Sequence, residues 1–288
     1  MTFEQLRQNV EDTIESVYGK QESKAISRVL MLHYTATEPA AYQLIKHQPA
    51  SAELADMMLN HAIPLLLKHT PVQYITGQAW LGGLCFSVKE GVLIPRPETE
   101  EMVCKIIENM GHEVASDTAM MDIGTGSGVI AVSLAKKWNN ALVYALDIST
   151  EALETAKINA KNHNVDINLL QGDILEENFR NSLPQDLSLI VSNPPYVRES
   201  EKIMMMPNVL LHEPALALFV PDNDALVFYR HIAGFARKHL KPGGKLWLEI
   251  NEYLSAQTVG LLQKQGFLKV EAHKDFRGKY RFVSSINK

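Results

Sequence analysis

"MMDIGTGSGVIAVSLAKK", residues 120–137, runs from a short apolar stretch through three closely spaced glycines into a helix-forming one. It reads as strand, tight turn and helix. Gly124, Gly126 and Gly128 permit the turn and let a ligand approach the backbone closely. The helix start behind them offers free N–H groups and a positive dipole end. The next strand, "ALVYALD" (141–147), ends in Asp147, and "LLQGDI" (169–174) brings Asp173 and Ile174 to the end of a third. An acid in the place of Asp147 can accept both hydroxyl protons of a ribose. Asp173 is suited to the amino edge of an adenine, with Ile174 against the ring face. Either aspartate alone reads equally well as a turn or helix cap; a glycine loop, Asp and Asp on successive strand ends read together as a nucleoside site.

Working outward, strands are expected near 119–123, 141–147, 167–171, 187–192, 244–250, 267–273 and 279–285. Helices are expected near 128–138, 150–163, 223–240 and 255–265. That alternation predicts an α/β fold with a mostly parallel sheet covered on both faces. "RPETEEMVCKIIENM" (96–110) reads as a helix with acids in its first turn, where the macrodipole favours them. "CFSVKEGVLIP" (85–95) predicts a hairpin turning at Glu90-Gly91.

Residues 1–70 read as helical, with no strand signal. Phe3, Leu6, Val10, Ile14 and Val17 recur at spacings of three and four. Thr2 and Gln5 form a capping-box pattern and Gly19 is a stop. A second helix is expected over about 22–35, and a third after Ser51 that Pro64 kinks or divides. "MMM" at 204–206 falls in an expected loop.

Composition excludes several classes. Hydrophobic residues make up 46% and charged residues 21%, as in a soluble globular protein. No apolar run reaches the roughly 18 residues of a membrane span, and the acidic, amphipathic start has no signal-peptide core, so a cytoplasmic location is expected. Cys85 and Cys104 lack metal-ligand spacing, so no metal is expected. The net charge is −5. Residues 1–75 hold six Lys or Arg against eight Asp or Glu, which is not a basic arm for nucleic acid.

The glycines are spaced G-x-G-x-G, because Val129 follows Gly128, so the dinucleotide fingerprint is not matched. A ligand with ribose and adenine but a carboxylate in place of a pyrophosphate fits better, and S-adenosylmethionine is such a ligand. "VSNPPYV" (191–197) adds the reaction. It closes the fourth strand, and ligands of open α/β sheets lie beyond the strands' carboxyl ends. Each proline fixes its own φ and extends the residue before it. Asn193-Pro194-Pro195-Tyr196 therefore presents two stiffly held acceptors, the Asn193 side-chain oxygen and the Pro194 carbonyl, beside the aromatic face of Tyr196. Two acceptors match the two hydrogens of a planar amino group.

With "PVQYITG" (71–77), "GVLIPRPETE" (91–100), "DIGTGSGVIA" (122–131), "SNPPYV" (192–197), "HEPALAL" (212–218) and "GGKLWLEI" (243–250), the chain resembles the PrmC/HemK family of protein-(glutamine-N5) methyltransferases. Members modify class I peptide chain release factors. It departs from the family at His212, where a Tyr is usual, and after "EI", where a Gly is usual. The resemblance implies a seven-stranded Rossmann-like S-adenosylmethionine-dependent methyltransferase domain with an antiparallel last strand (98–288). It also implies an N-terminal helical substrate-docking domain (1–75) and a β-hairpin linker (76–97). Gly124, Thr125, Gly126, Ser127, Gly128, Asp147, Ile174 and Asn193 would contact the cofactor. Asn193, Pro194, Pro195 and Tyr196 would bind the glutamine of a Gly-Gly-Gln motif, with Asn193, Pro194 and Tyr196 catalytic. Whether Arg96, Glu98 and Glu213 bind substrate or only brace the fold stays open, as do a DNA or RNA amino-methyltransferase and a non-catalytic cofactor-binding adaptor.

Overall fold

Thr2 starts the first helix reciprocally: its hydroxyl accepts from Gln5 N at 3.2 Å, while Gln5 Oε1 accepts from Thr2 N at 2.8 Å. The computed structural model describes residues 1–111 and 113–288. They divide into two compact units, Met1–Gln78 with Met206–His212, and Ala79–Met205 with Glu213–Lys288.

In the first unit, α1 spans Phe3–Thr35. The break expected at Gly19 is present: φ 73° and ψ 162° there leave the helical region, so Phe3–Thr35 is two helical segments joined at a kink, the second running on to Thr35. Both halves contribute to one buried face, Leu6, Val10 and Ile14 before the kink and Ile26, Leu30 and Met31 after it. α2 (Pro39–Ile45) has no counterpart among the expected helices; it is two turns long, too short to show a period. α3 (Ala52–Asp56) is capped by Ser51, whose Oγ accepts from Leu54 N at 3.1 Å. A π-helical turn, Met57–Ala62, then leads into α4 (Ile63–Leu67), and α5 covers Val72–Thr76. The wide turn sits just ahead of Pro64, which has no N–H to continue an α-helical ladder. Helix Pro207–His212 belongs to this unit, and His212 Nε2 lies 2.9 Å from the Lys68 carbonyl.

A hairpin follows, β1 (Gln78–Leu81) and β2 (Leu84–Ser87). Its turn is Gly82-Gly83, at φ 56° and 74°, not Glu90-Gly91 as expected. Two successive positive-φ residues are what a two-residue hairpin turn demands. Residues 88–95 form no strand. Val88, Val92 and Ile94 are nevertheless buried, so the apolar pattern that suggested pairing reflects the packing of an irregular segment.

The remaining strands are β3 (Ala119–Ile123), β4 (Leu142–Asp147), β5 (Asn168–Gln171), β6 (Leu187–Ser192), β7 (Val197–Arg198), β8 (Phe219–Val220), β9 (Leu240–Glu249), β10 (Leu268–Lys274) and β11 (Tyr280–Ile286). β7 and β8 pair only with each other. The other seven form one sheet in the order β10-β11-β9-β6-β3-β4-β5. β9, β6, β3, β4 and β5 are parallel, and β11 runs antiparallel to both its neighbours. This is the expected fold, with each expected strand within a few residues of its place. From β3 the chain progresses one way through β4 and β5, then returns to the other side of β3 with β6. That switch point opens a crevice at the carboxyl ends of β3 and β6, where the glycine loop and Asn193 emerge. Among the described residues, no helix is long and apolar enough to cross a membrane.

Candidate active site

Gly124 N and Thr125 N both donate to the Leu146 carbonyl, at 2.8 and 2.9 Å, which folds the glycine loop over the end of β4. Beneath it, Asp122 is fully buried near the end of β3. Its Oδ2 accepts from Thr125 Oγ1 at 2.6 Å and from Ala131 N at 3.2 Å, tying the loop to the helix after it. Burial pushes the Asp122 carboxyl up to about 7 against the pull of those two bonds. Sequence reasoning passed over Asp122; the signal was an acid interrupting the apolar strand "MMDI". Gly128 holds φ +82°, and a Cβ there would stand 2.9 Å from Ala156 Cβ, so glycine is required by conformation and by close packing at once.

Asp147 Oδ2 accepts from Gly126 N and Oδ1 from Ser149 N, each at 2.9 Å. Burial pushes its pKa up, and these backbone N–H groups pull it back. Each carboxylate oxygen keeps a further lone pair, so the group can brace the loop and still accept from two hydroxyls. Asp173 Oδ1 accepts from Leu175 N at 2.8 Å, and Ile174 is buried beside it.

A pocket of about 240 Å³ brings together Gly124, Thr125, Gly126, Ser127, Asp147, Asp173, Ile174, Asn193, Pro194 and Pro195. Two of the expected site residues are not in its wall. Gly128 lies against Ala156. Tyr196, half-buried, packs against the core, and its hydroxyl donates to Glu249 Oε1 at 3.0 Å. The physical reason is the buried carboxylate of Glu249, which needs donors. A largely apolar pocket with a carboxylate at each of two strand ends and an open glycine loop fits the ribose and adenine of S-adenosylmethionine. Among the described residues no group of three His, Cys, Asp or Glu could hold a metal.

Asn193 is held from one side. Its Nδ2 donates to Thr99 Oγ1 at 3.2 Å, and Thr99 Oγ1 donates in turn to Glu249 Oε2 at 2.9 Å. One amide hydrogen is thereby committed to Thr99, and Oδ1 remains as an acceptor. Thr99 lines the pocket from the first turn of helix Pro97–Met110. Asn251 Nδ2 donates to the Tyr196 carbonyl at 3.1 Å and fixes the far end of the motif. Thr99, Glu249 and Asn251 were missed as site residues. Only Glu249 left a signal, as the acid ending the apolar run of "GGKLWLEI".

Arg96 also lines the pocket, and its Nη2 donates to both oxygens of Glu213, at 2.7 and 2.8 Å. Ile94 N donates to the same carboxylate at 3.3 Å. Glu213 thus holds the 94–96 segment in place. Glu98 is not in the wall.

The methyltransferase small domain family matches residues 105–231. Among solved structures, a methyltransferase from Pyrococcus furiosus has the same fold, with a TM-score of 0.52 at 21% identity, covering 79% of this chain and 98% of that one. Sequence likeness reaches further. A release factor glutamine methyltransferase of Flavobacterium psychrophilum is 48% identical over 219 residues, 76% of either chain. Another, from Bacteroides thetaiotaomicron, is 38% identical over 276 residues, 96% of this chain and 97% of its own. Identity at that level from the helical unit through the sheet extends well past a shared fold: the chain belongs to the release factor glutamine methyltransferase family and is an S-adenosylmethionine-dependent methyltransferase.

Proposed function

We propose that this enzyme methylates the side-chain nitrogen (N5) of the glutamine in the Gly-Gly-Gln motif of a class I peptide chain release factor, in the cytoplasm, in support of translation termination. The observation that carries the reading is the one-sided grip on Asn193. With Nδ2 bound to Thr99, Oδ1 and the Pro194 carbonyl are the groups that can take the two hydrogens of a carboxamide.

An amide nitrogen is a weak nucleophile because its lone pair is delocalised into the carbonyl. S-adenosylmethionine supplies, when bound, a methyl group activated by its sulfonium. The protein's task is then placement. Asn193 and Pro194 accept both N–H groups, hold the nitrogen, and stabilise the positive charge that grows on it. The methylated nitrogen then returns one proton to solvent. Pro195 keeps the segment stiff, and Tyr196 anchors it through Glu249. Asp147, Asp173 and Ile174 hold the nucleoside, and Gly124 to Gly128 shape the loop over it.

A glutamine side chain is a common group, so selectivity has to come from contacts away from the chemistry. The two glycines of Gly-Gly-Gln let the substrate backbone approach a narrow site. The amino-terminal helices serve as the docking domain for the rest of the protein, joined through the hairpin linker; neither nucleic acid nor membrane takes part. A whole release factor is therefore expected to be methylated on this glutamine, and a short Gly-Gly-Gln peptide about tenfold less efficiently or worse, since truncated substrates lose remote binding energy. Labelled-methyl transfer, with release factor, peptide, DNA and RNA offered side by side and products read by mass spectrometry, tests this. Label on nucleic acid, on another residue type, or equally on the free peptide would refute the assignment.

A further inference from the structure

The grip on Asn193 does not end at Thr99. Thr99 is buried, 4% exposed, and its hydroxyl has one hydrogen. That hydrogen goes to Glu249 Oε2 at 2.9 Å. What Thr99 shows to Asn193 is therefore a lone pair, which accepts an N–H and repels a carbonyl oxygen. The same carboxylate takes the Tyr196 hydroxyl on Oε1 at 3.0 Å. One buried acid thus holds both ends of Asn193-Pro194-Pro195-Tyr196, directly at Tyr196 and through Thr99 at Asn193. We propose that Glu249 and Thr99 are positioning residues for methyl transfer, locking the Asn193 amide with Oδ1 toward the pocket. The inference rests on Asn193 being the acceptor for the substrate nitrogen.

The lock depends on Glu249 being ionised. As a carboxylate it only accepts, so Thr99 must donate to it. As a carboxylic acid it can donate to Thr99 Oγ1. The Thr99 hydrogen is then released toward Asn193, and the amide is free to flip. A flipped Asn193 would show –NH2 to a substrate –NH2, and two donors cannot bond. Burial pushes Glu249 up to about 7, with Thr99, Tyr196 and Arg281 pulling it down and Glu98 adding to the rise. The charged and titratable groups facing it are Glu98 on helix Pro97–Met110, Tyr196 after β6, Tyr229 on helix Val227–His239 and Arg281 on β11. An acid with a raised pKa is protonated below that pKa, so the locked state gains as pH rises through it.

The test uses the full-length enzyme with a whole release factor. Thr99→Val keeps the shape and removes the hydroxyl; it is expected to lower kcat about tenfold, the effect of one hydrogen bond to a buried polar group. Its S-adenosylmethionine affinity, read by calorimetric titration, is expected to stay within about threefold of wild type. Thr99→Ser restores the hydroxyl and is expected to recover most of the rate. Wild-type kcat is expected to rise between about pH 6 and pH 8, and Glu249→Gln to flatten that rise, because a carboxamide does not titrate there. Thr99→Val at the wild-type kcat, or an unaltered pH profile in Glu249→Gln, would overturn the inference while an impaired Asn193→Ala variant left the reading of Asn193 standing. A fully active Asn193→Ala variant would overturn both.

Discussion

Asn193→Ala is expected to lower turnover by about 10²–10³-fold, the cost of removing one preorganised hydrogen-bonding group from a transition state. The reason lies in how the side chain is held. Its nitrogen is engaged by Thr99, and Ser192 Oγ anchors the preceding residue to the Ile123 carbonyl at 2.6 Å. In the proposed lock Oδ1 is aimed before substrate arrives, which leaves less side-chain freedom to be lost in the reaction. Alanine removes the acceptor and leaves the Pro194 carbonyl alone on the substrate nitrogen. Because charge develops there only as the methyl transfers, the loss falls on kcat. Cofactor affinity should fall much less than turnover, since most of the proposed cofactor contacts lie at the glycine loop, Asp147, Asp173 and Ile174. Single-turnover methylation with saturating cofactor measures the chemical step; a rate near that of wild type would refute the placement mechanism.

Asp147→Ala should weaken S-adenosylmethionine binding by about 1.5–3 kcal/mol, or roughly 10- to 150-fold, as for loss of charge-assisted hydrogen bonds. Two effects add. The ribose hydroxyls lose their acceptor, and the loop loses its brace, because Asp147 also accepts from Gly126 N and Ser149 N. Asp147→Asn keeps an acceptor oxygen and most of the shape, so its loss should be smaller than that of alanine. Calorimetric titration of both variants separates the contributions. Unchanged affinity in Asp147→Ala would remove the residue from the cofactor site.

The sequence by itself determined the sheet and the end of it at which the pocket opens. Apolar runs marked the central strands most clearly, because a buried parallel strand must be almost wholly apolar, and β6 is buried at every position. Glycine spacing and strand-end acids marked the pocket, because only residues at the carboxyl ends of the strands beside a switch point can meet a ligand there. Local chemistry was legible at two helix starts: Thr2 and Ser51 cap their helices as their neighbours dictate.

What the sequence left undecided depends on contacts far apart in the chain. Apolar alternation cannot separate a paired strand from an irregular buried segment, so the hairpin turn was placed at Glu90-Gly91 when tertiary packing assigns it to Gly82-Gly83. The Asn193 amide likewise bonds Thr99, 94 residues earlier, and the Tyr196 hydroxyl bonds Glu249, 53 residues later. Asp122 and Glu249 each stand as one acid in an apolar strand, and nothing in the chain says what will face them. Only the folded sheet, by taking both carboxylates out of water and giving them particular donors, turns one into the brace of the glycine loop and the other into the anchor of Asn193-Pro194-Pro195-Tyr196.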